Sequence, residues 1–217
     1  DEEYRVLEKI KNSIPVCYLA DHADFALGIV TGNNKKFLSA EKTEHSEMVL
    51  KGTDICKYHI NPVKQYLRFE PEQFQQVAPL EIYRAPEKLL YRFISNQLVV
   101  AYDDRQMLSL NSCNIVIPKI EGMQIKYILA ILNSSVSQFV YQKEFHSIKV
   151  LRAHMEHIPI PRVGKAIQNE IIAMTEPLIC GMGKEAAETC QKRLDCRIMD
   201  LFRLSAEEQW IIRHALH

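Results

Sequence analysis

The chain has 217 residues, 27 Lys and Arg against 27 Asp and Glu, a formal net charge of zero, and 47% hydrophobic residues. These are values of a packed globular protein, and a pI near 7.2 excludes a histone-like polycation, for which a pI above about 9 is expected. No run reaches the roughly 18 apolar residues of a membrane span, and the acidic start DEEYRVLEKI has neither the basic end nor the apolar centre of a signal peptide.

The expectation is therefore a soluble cytoplasmic protein of one large domain, or of a main domain with a small helical appendage. The chain begins at Asp1 rather than Met, which suggests an excised part of something longer. Residues 2–14 read as a short amphipathic helix with Leu7, Ile10 and Ile14 on one side. After it come short β-branched or aromatic runs, FALGIV, KKFLS, EMVLKG, LLYRFI, QLVVAY and NIVIP, separated by Gly, Asn, Asp and Pro. Their hairpin-like spacing, without long helices between, predicts a curved, mostly antiparallel or mixed sheet in an α+β fold.

Within this region LLYRFISNQLVVAY reads as a hairpin with Ser95-Asn96 at its turn. GIVTGNNKKFL, Gly28 to Leu38, reads as a strand, a Gly-Asn turn and a return strand. It is not a P-loop, which ends Gly-Lys-Ser/Thr and opens a helix. From Met123 the period becomes helical, and the interruption at Asn133-Ser134 predicts two consecutive helices, with Ser134 or Ser135 capping the second. The prolines of HIPIPRV end the helical path. Beyond Pro161, the stripes Ile167, Ile171, Met174, Leu178 and Cys190, Leu194, Ile198, Leu201 flank the break at Gly181–Gly183 and predict a helical hairpin. Ser205-Ala-Glu-Glu208 is a capping-box pattern opening a last helix, with Trp210 and Ile211 available for its buried face. The predicted division is a main domain at 1–162 and a C-terminal helical segment at 163–217, packed on it or extending from it.

Candidate chemistry is sparse. Asp103-Asp104 could supply paired carboxylates but is read as the polar end of a hairpin. There is no Gly-x-Ser-x-Gly elbow and no His-Glu-x-x-His helix. The six cysteines sit mostly in apolar patterns and read as reduced, buried thiols. Cys56-x-x-His59 and His154-x-x-His157 have zinc-like spacing but too little cysteine for a structural site, and read as two separate packing pairs. No catalytic residue, bound cofactor or metal is assigned to the chain.

What the sequence does supply is an ensemble of polar and basic residues at strand ends: Asn33, Asn34, Lys35 and Lys36; Lys51 and Lys57; Arg84 and Lys88; Arg105; then His146, Ser147, Lys149 and Arg152. Arg and Lys contact guanine edges or phosphates and Asn pairs with adenine, each good base contact discriminating by about 1–3 kcal/mol. Any one of them alone reads as a solvated surface group.

The ordered segments GIVTGNNKKFL, VLKGTDICKY, YRAPEKLLYRFISNQLVVAYDD, YILAILNSSVSQFVYQKEF and HMEHIPIP resemble the TaqI-like C-terminal specificity domain of N6-adenine DNA methyltransferases and type IIG restriction–modification enzymes. Gly28, Thr31, Gly32, Asn34 and Phe37 match the first motif, Lys51, Gly52, Asp54, Ile55 and Tyr58 the second, and Leu132, Asn133 and Ser134 a helix junction. The slot before the Ile-Pro-Ile-Pro run holds His146, Ser147 and Lys149, without the glycine often found there. The resemblance implies sequence-specific binding of double-stranded DNA beside a methyltransferase domain of the same polypeptide. That domain would carry S-adenosylmethionine and an Asn-Pro-Pro-Tyr/Phe motif absent here. All the polar residues named above except Lys88 are then DNA-binding candidates, and the chain itself neither methylates nor cuts. Two other classes compete: an interaction or dimerisation module using the stripe from Ile167 to Leu201, and a metal-dependent nuclease, which would need converging acids.

Overall fold

In the computed structural model, which describes residues 2–216, strands and helices segregate as expected for an α+β protein. The strands form two four-stranded sheets and a two-stranded ribbon. The first sheet contains β2 (Ala23–Ala26), β9 (Cys113–Pro118), β6 (Lys88–Arg92) and β7 (Val100–Asp103), all neighbours antiparallel. The second contains β3 (Leu38–Ser39), β5 (Tyr66–Arg68), β4 (Ser46–Leu50) and β8 (Leu108–Ser109), antiparallel except that β4 and β8 run parallel. The ribbon joins β1 (Val16–Cys17) to β10 (Ile160–Pro161) and brings the start of the chain to the HIPIP run.

The first sheet lies in the middle. Leu89, Tyr91, Val100, Tyr102 and Val116 belong to one core, which includes the helices; Leu90, Ala101, Cys113 and Ile115 belong to a second, shared with Val49, Leu50, Ile55 and Leu67. Alternating side chains thus point into different cores. That is why KLLYR reads as a nearly unbroken apolar run: both faces of β6 are covered. Each fully buried aliphatic or aromatic side chain contributes about 1.5–3 kcal/mol.

On the helical side, α1 (Glu2–Asn12) buries Val6 and Ile10. Then α4 (Ile125–Leu132) and α5 (Ser135–Phe145) meet at Asn133-Ser134, where Ser134 Oγ accepts from Ser137 N at 3.2 Å. Asn133 is fully buried, and its amide both accepts from Val100 N and donates to Val100 O, at 3.0 and 2.8 Å. The helix junction is thereby bonded to the edge strand β7. The helical hairpin is α7 (Lys165–Ile179) and α8 (Lys184–Leu201), followed by α9 (Ala206–Ala215). Ile171, Leu178, Leu194, Ile198 and Ile212 are buried in the same core as the sheet, so the apolar stripe of the tail is packed inward. None of the described helices is long and apolar enough to cross a membrane.

Four local expectations are corrected. The KKF of GIVTGNNKKFL is not a return strand but one helical turn, α2 (Asn34–Phe37). Thr31 Oγ1 accepts from Asn33 N at 3.2 Å and donates to Asn34 Oδ1 at 2.6 Å, and Asn33 Oδ1 accepts from Lys36 N at 3.2 Å. These local side-chain bonds cap a helical turn in competition with a strand ladder. Asp103 is not an exposed hairpin acid but is fully buried against Lys88. Trp210 is 56% exposed and stacks on His214, while Ile212 takes the buried position. Cys180 and Cys196 are exposed, although Cys17 and Cys113 are buried.

Candidate nucleic-acid interface

The strand directions collect several loops at one end of the sheets. Arg92 pairs with Cys113, Tyr91 with Val100 and Ala26 with Ile115. The end of β6, the starts of β7 and β9 and the exit of β2 therefore lie together. The parallel pair β4 and β8 ends there too, with Leu110 N donating to Leu50 O at 2.7 Å.

Two glycines permit this convergence. A Cβ on Gly28 would stand 2.0 Å from Leu110 O, and one on Gly52 would stand 2.6 Å from Ser112 O. The turn Leu110–Ser112 is thus held between two backbones that only glycine lets approach. Gly28 N donates to Asn114 Oδ1 at 3.1 Å and Gly52 N to Ser112 Oγ at 2.9 Å. Arg92 completes the clamp, its Nε donating to Gly52 O at 2.9 Å and its Nη2 to Ile55 O at 2.5 Å. Sequence reasoning missed Arg92, whose place at the end of an apolar run could have drawn attention to it.

A second pair of segments docks onto this end. Ser95 N donates to Ile148 O at 2.9 Å and Val150 N to Phe93 O at 2.8 Å, with Ile94 opposite Lys149. His146, at φ 35° and ψ 46°, ends α5 in the left-handed region, where glycine would be free of strain. Ser147 Oγ accepts from Lys149 N at 3.0 Å, and Tyr141 Oη donates to Ser147 O at 3.0 Å. Between the docked segments and the clamp lies a cleft of about 360 Å³ lined by Lys51, Gly52, Thr53, Arg92, Ile94 and Ser112. It offers one free ammonium, two hydroxyls and an apolar wall.

The candidate residues divide by location. Lys51, His146, Ser147 and Lys149 gather at this end, and Arg152 follows directly, paired with Glu156 at 2.7 Å and lying over the Phe25 ring. The hydrogen bond from Arg152 to Glu156 raises the guanidinium pKa further. Asn33, Asn34, Lys35 and Lys36 occupy the outer edge of the second sheet, where Lys36 Nζ donates to Gln73 Oε1 at 2.6 Å and Gly32 lies against Gln75. Arg84 and Arg105 stand at the opposite end, and Arg84 Nη2 lies 2.7 Å from both Glu47 carboxylate oxygens.

Lys57 is turned inward. Its Nζ donates to Asn133 O at 3.2 Å, and burial lowers its pKa, opposed by Asp195. Asp195 in turn accepts from Ser135 N and Oγ at 2.9 and 2.6 Å; burial raises its pKa against these bonds. This polar cluster ties α8 to the α4–α5 junction. The zinc-like pairs are occupied locally: Asn61 Nδ2 donates to Cys56 Sγ at 3.3 Å, and His154 stacks on Phe145 while accepting from Leu151 N. Burial lowers the His154 pKa. Among the described residues, no three His, Cys, Asp or Glu side chains are grouped so as to hold a metal.

Residues 47–160 match the family model of the TaqI-like C-terminal specificity domain, and the chain belongs to that family. No curated protein matches it by sequence. By fold it is similar to the type IIL restriction–modification enzyme MmeI, whose structure was determined in complex with DNA, at a TM-score of 0.59 and 11% identity over 90% of this chain. It also matches the HsdS subunit from Thermoanaerobacter tengcongensis (TM-score 0.47, 14% identity, 99% of this chain and 50% of that one) and the type IIG restriction endonuclease BpuSI (0.49, 11%, 93% and 33%). The chain spans 35% of the MmeI chain.

Proposed function

We propose that the chain reads the sequence of double-stranded DNA as the specificity part of an N6-adenine DNA methyltransferase or fused restriction–modification enzyme, acting in the cytoplasm. The methyltransferase domain of the parent polypeptide would hold S-adenosylmethionine and carry out the chemistry; this chain supplies orientation and sequence choice. In this reading residues 1–162 hold the reader and 163–217 brace it.

The observation that carries the reading is the convergence of Lys51, Thr53, Ser112, Ile94, Ser147 and Lys149 at one end of the sheets. Cations there suit phosphates, which position the protein, and hydroxyls suit base edges, which specify sequence. All six lie within the segment that matches the family. The competing interaction module loses its motive, since Ile171, Leu178, Leu194 and Ile198 of the stripe from Ile167 to Leu201 are buried in the sheet's own core.

The test is selection of duplexes from a random library by the 217-residue chain at low salt, then titration of the enriched duplex and a scrambled control over a salt series. Enrichment of one short sequence, with affinity falling steeply as salt rises, is the expected result. Equal binding to both duplexes, or to neither, overturns the reading.

A further inference from the structure

Ile94 and Ile148 are 54% and 70% exposed, yet they stand on segments bonded to one another. Ile94 is opposite Lys149 in an antiparallel bridge, flanked by the bonds Ser95 N to Ile148 O and Val150 N to Phe93 O. Opposed residues share a face and neighbours alternate. Ile94 and Lys149 therefore belong to one face of this small ribbon, and Ser95 and Ile148 to the other. A ribbon lying flat on a protein covers one face; this one, rooted at the buried Val150, carries an exposed isoleucine on each.

We propose that the face of the ribbon carrying Ile94 and Lys149 enters the major groove of duplex DNA and that Ile94 reads thymine through its 5-methyl group, Ile148 lying on the face turned away from the bases. The inference rests on the DNA-recognition reading above and names a residue and the base behind it. The major groove admits a two-stranded β-ribbon, and the thymine methyl is the apolar group that its base edges present there. A groove has anionic walls and a floor with methyls, and the ribbon matches that arrangement. Lys149 stands beside Ile94, Lys51 lies across the cleft from it, and both lysines are exposed. A protein partner seated on the isoleucines is the competing occupant, and the test separates the two.

The experiment takes the duplex selected by the wild-type chain and replaces its thymines one at a time by deoxyuridine, which removes only the methyl. Wild-type affinity falls about fourfold at one or two positions, the effect of withdrawing one buried methyl-sized group. In Ile94→Ala the same replacements have no further effect at the position that Ile94 reads, whereas Ile148→Ala, on the other face, keeps the wild-type losses. Both side chains are exposed, so the variants keep the wild-type unfolding midpoint, which is measured alongside. If the wild type selects a site but no deoxyuridine replacement weakens binding, or the site contains no A·T pair, the inference is overturned while DNA recognition stands. An Ile94→Ala variant that keeps wild-type DNA binding but changes the sedimentation coefficient assigns Ile94 to a protein contact and overturns it as well. If the wild type selects no duplex, the functional reading fails and the inference fails with it.

Discussion

Lys88 and Asp103 form an ion pair sealed between the two sheets, with Nζ 2.5 Å from Oδ2 and neither side chain exposed. Lys88 also donates to Tyr83 O at 2.7 Å, and Asp103 accepts from Arg105 N and Met107 N, both at 2.9 Å. The pair closes the end of the first sheet remote from the candidate interface and shapes the turn into β8. Burial lowers the Lys88 pKa while Asp103 opposes the shift.

Removing one partner strands the other charge in the interior. Asp103→Ala is expected to cost about 3–5 kcal/mol, read as a drop in the urea midpoint. The double variant Lys88→Met/Asp103→Leu should recover much of that loss, because the uncompensated charge is gone even though the turn has lost its acceptor.

The glycine clamp gives a graded series. Gly28→Ala drives a methyl into Leu110 O and should cost more than about 3 kcal/mol. Gly164→Ala meets nothing within 4 Å at an ordinary φ, and, as a change at the N-cap of α7, it should cost only about 1 kcal/mol. Equal effects at the two positions would contradict the close approach.

Glu208 joins α9 to α1, its Oε2 lying 2.5 Å from Lys9 Nζ and 2.6 Å from Ser205 N. Burial pulls its carboxyl upward, but the bonds from Lys9 and Ser205 outweigh it and hold the pKa below the ordinary value. A depressed carboxyl stabilises the fold above its unfolded pKa of about 4.3, and that gain is lost as pH falls through the folded value. Glu208→Gln should therefore cost about 1 kcal/mol near neutral pH. The gap to wild type should close in acid, as followed by denaturation at a series of pH values.

For DNA binding, Lys51→Ala and Lys149→Ala should each weaken affinity across sequences and lower the slope of log K against log salt by about 1. Arg105→Ala, at the opposite end, should leave both unchanged. An Arg105 effect as large as that of Lys51 would move the interface away from the cleft.

Within the fold, the elements that formed where their residues predicted them are those governed by near neighbours. The Ser134 cap, the Ser205–Glu208 capping box and the break at Gly181–Gly183 each depend on residues a few positions apart, and β6 and β7 pair as antiparallel sequence neighbours. GIVTGNNKKFL is the instructive exception. Its Thr and Asn side chains had more local bonding options than a turn-and-strand reading used, and they formed a capped helical turn.

By itself the sequence determined the α+β class, the order of segments that identifies the family, and a pool of polar residues at strand ends. Only the tertiary structure decided which of that pool share a surface. Gly52 meets Ser112 across 60 positions and Lys57 meets Asn133 across 76, and such pairings follow from sheet register and packing, which no local pattern encodes. They gathered Lys51 and Lys149 at one end, left Arg84 and Arg105 at the other, sealed Lys88 inside and turned the partly buried Lys57 inward, and brought out Ile94 and Ile148, which composition had given no reason to notice.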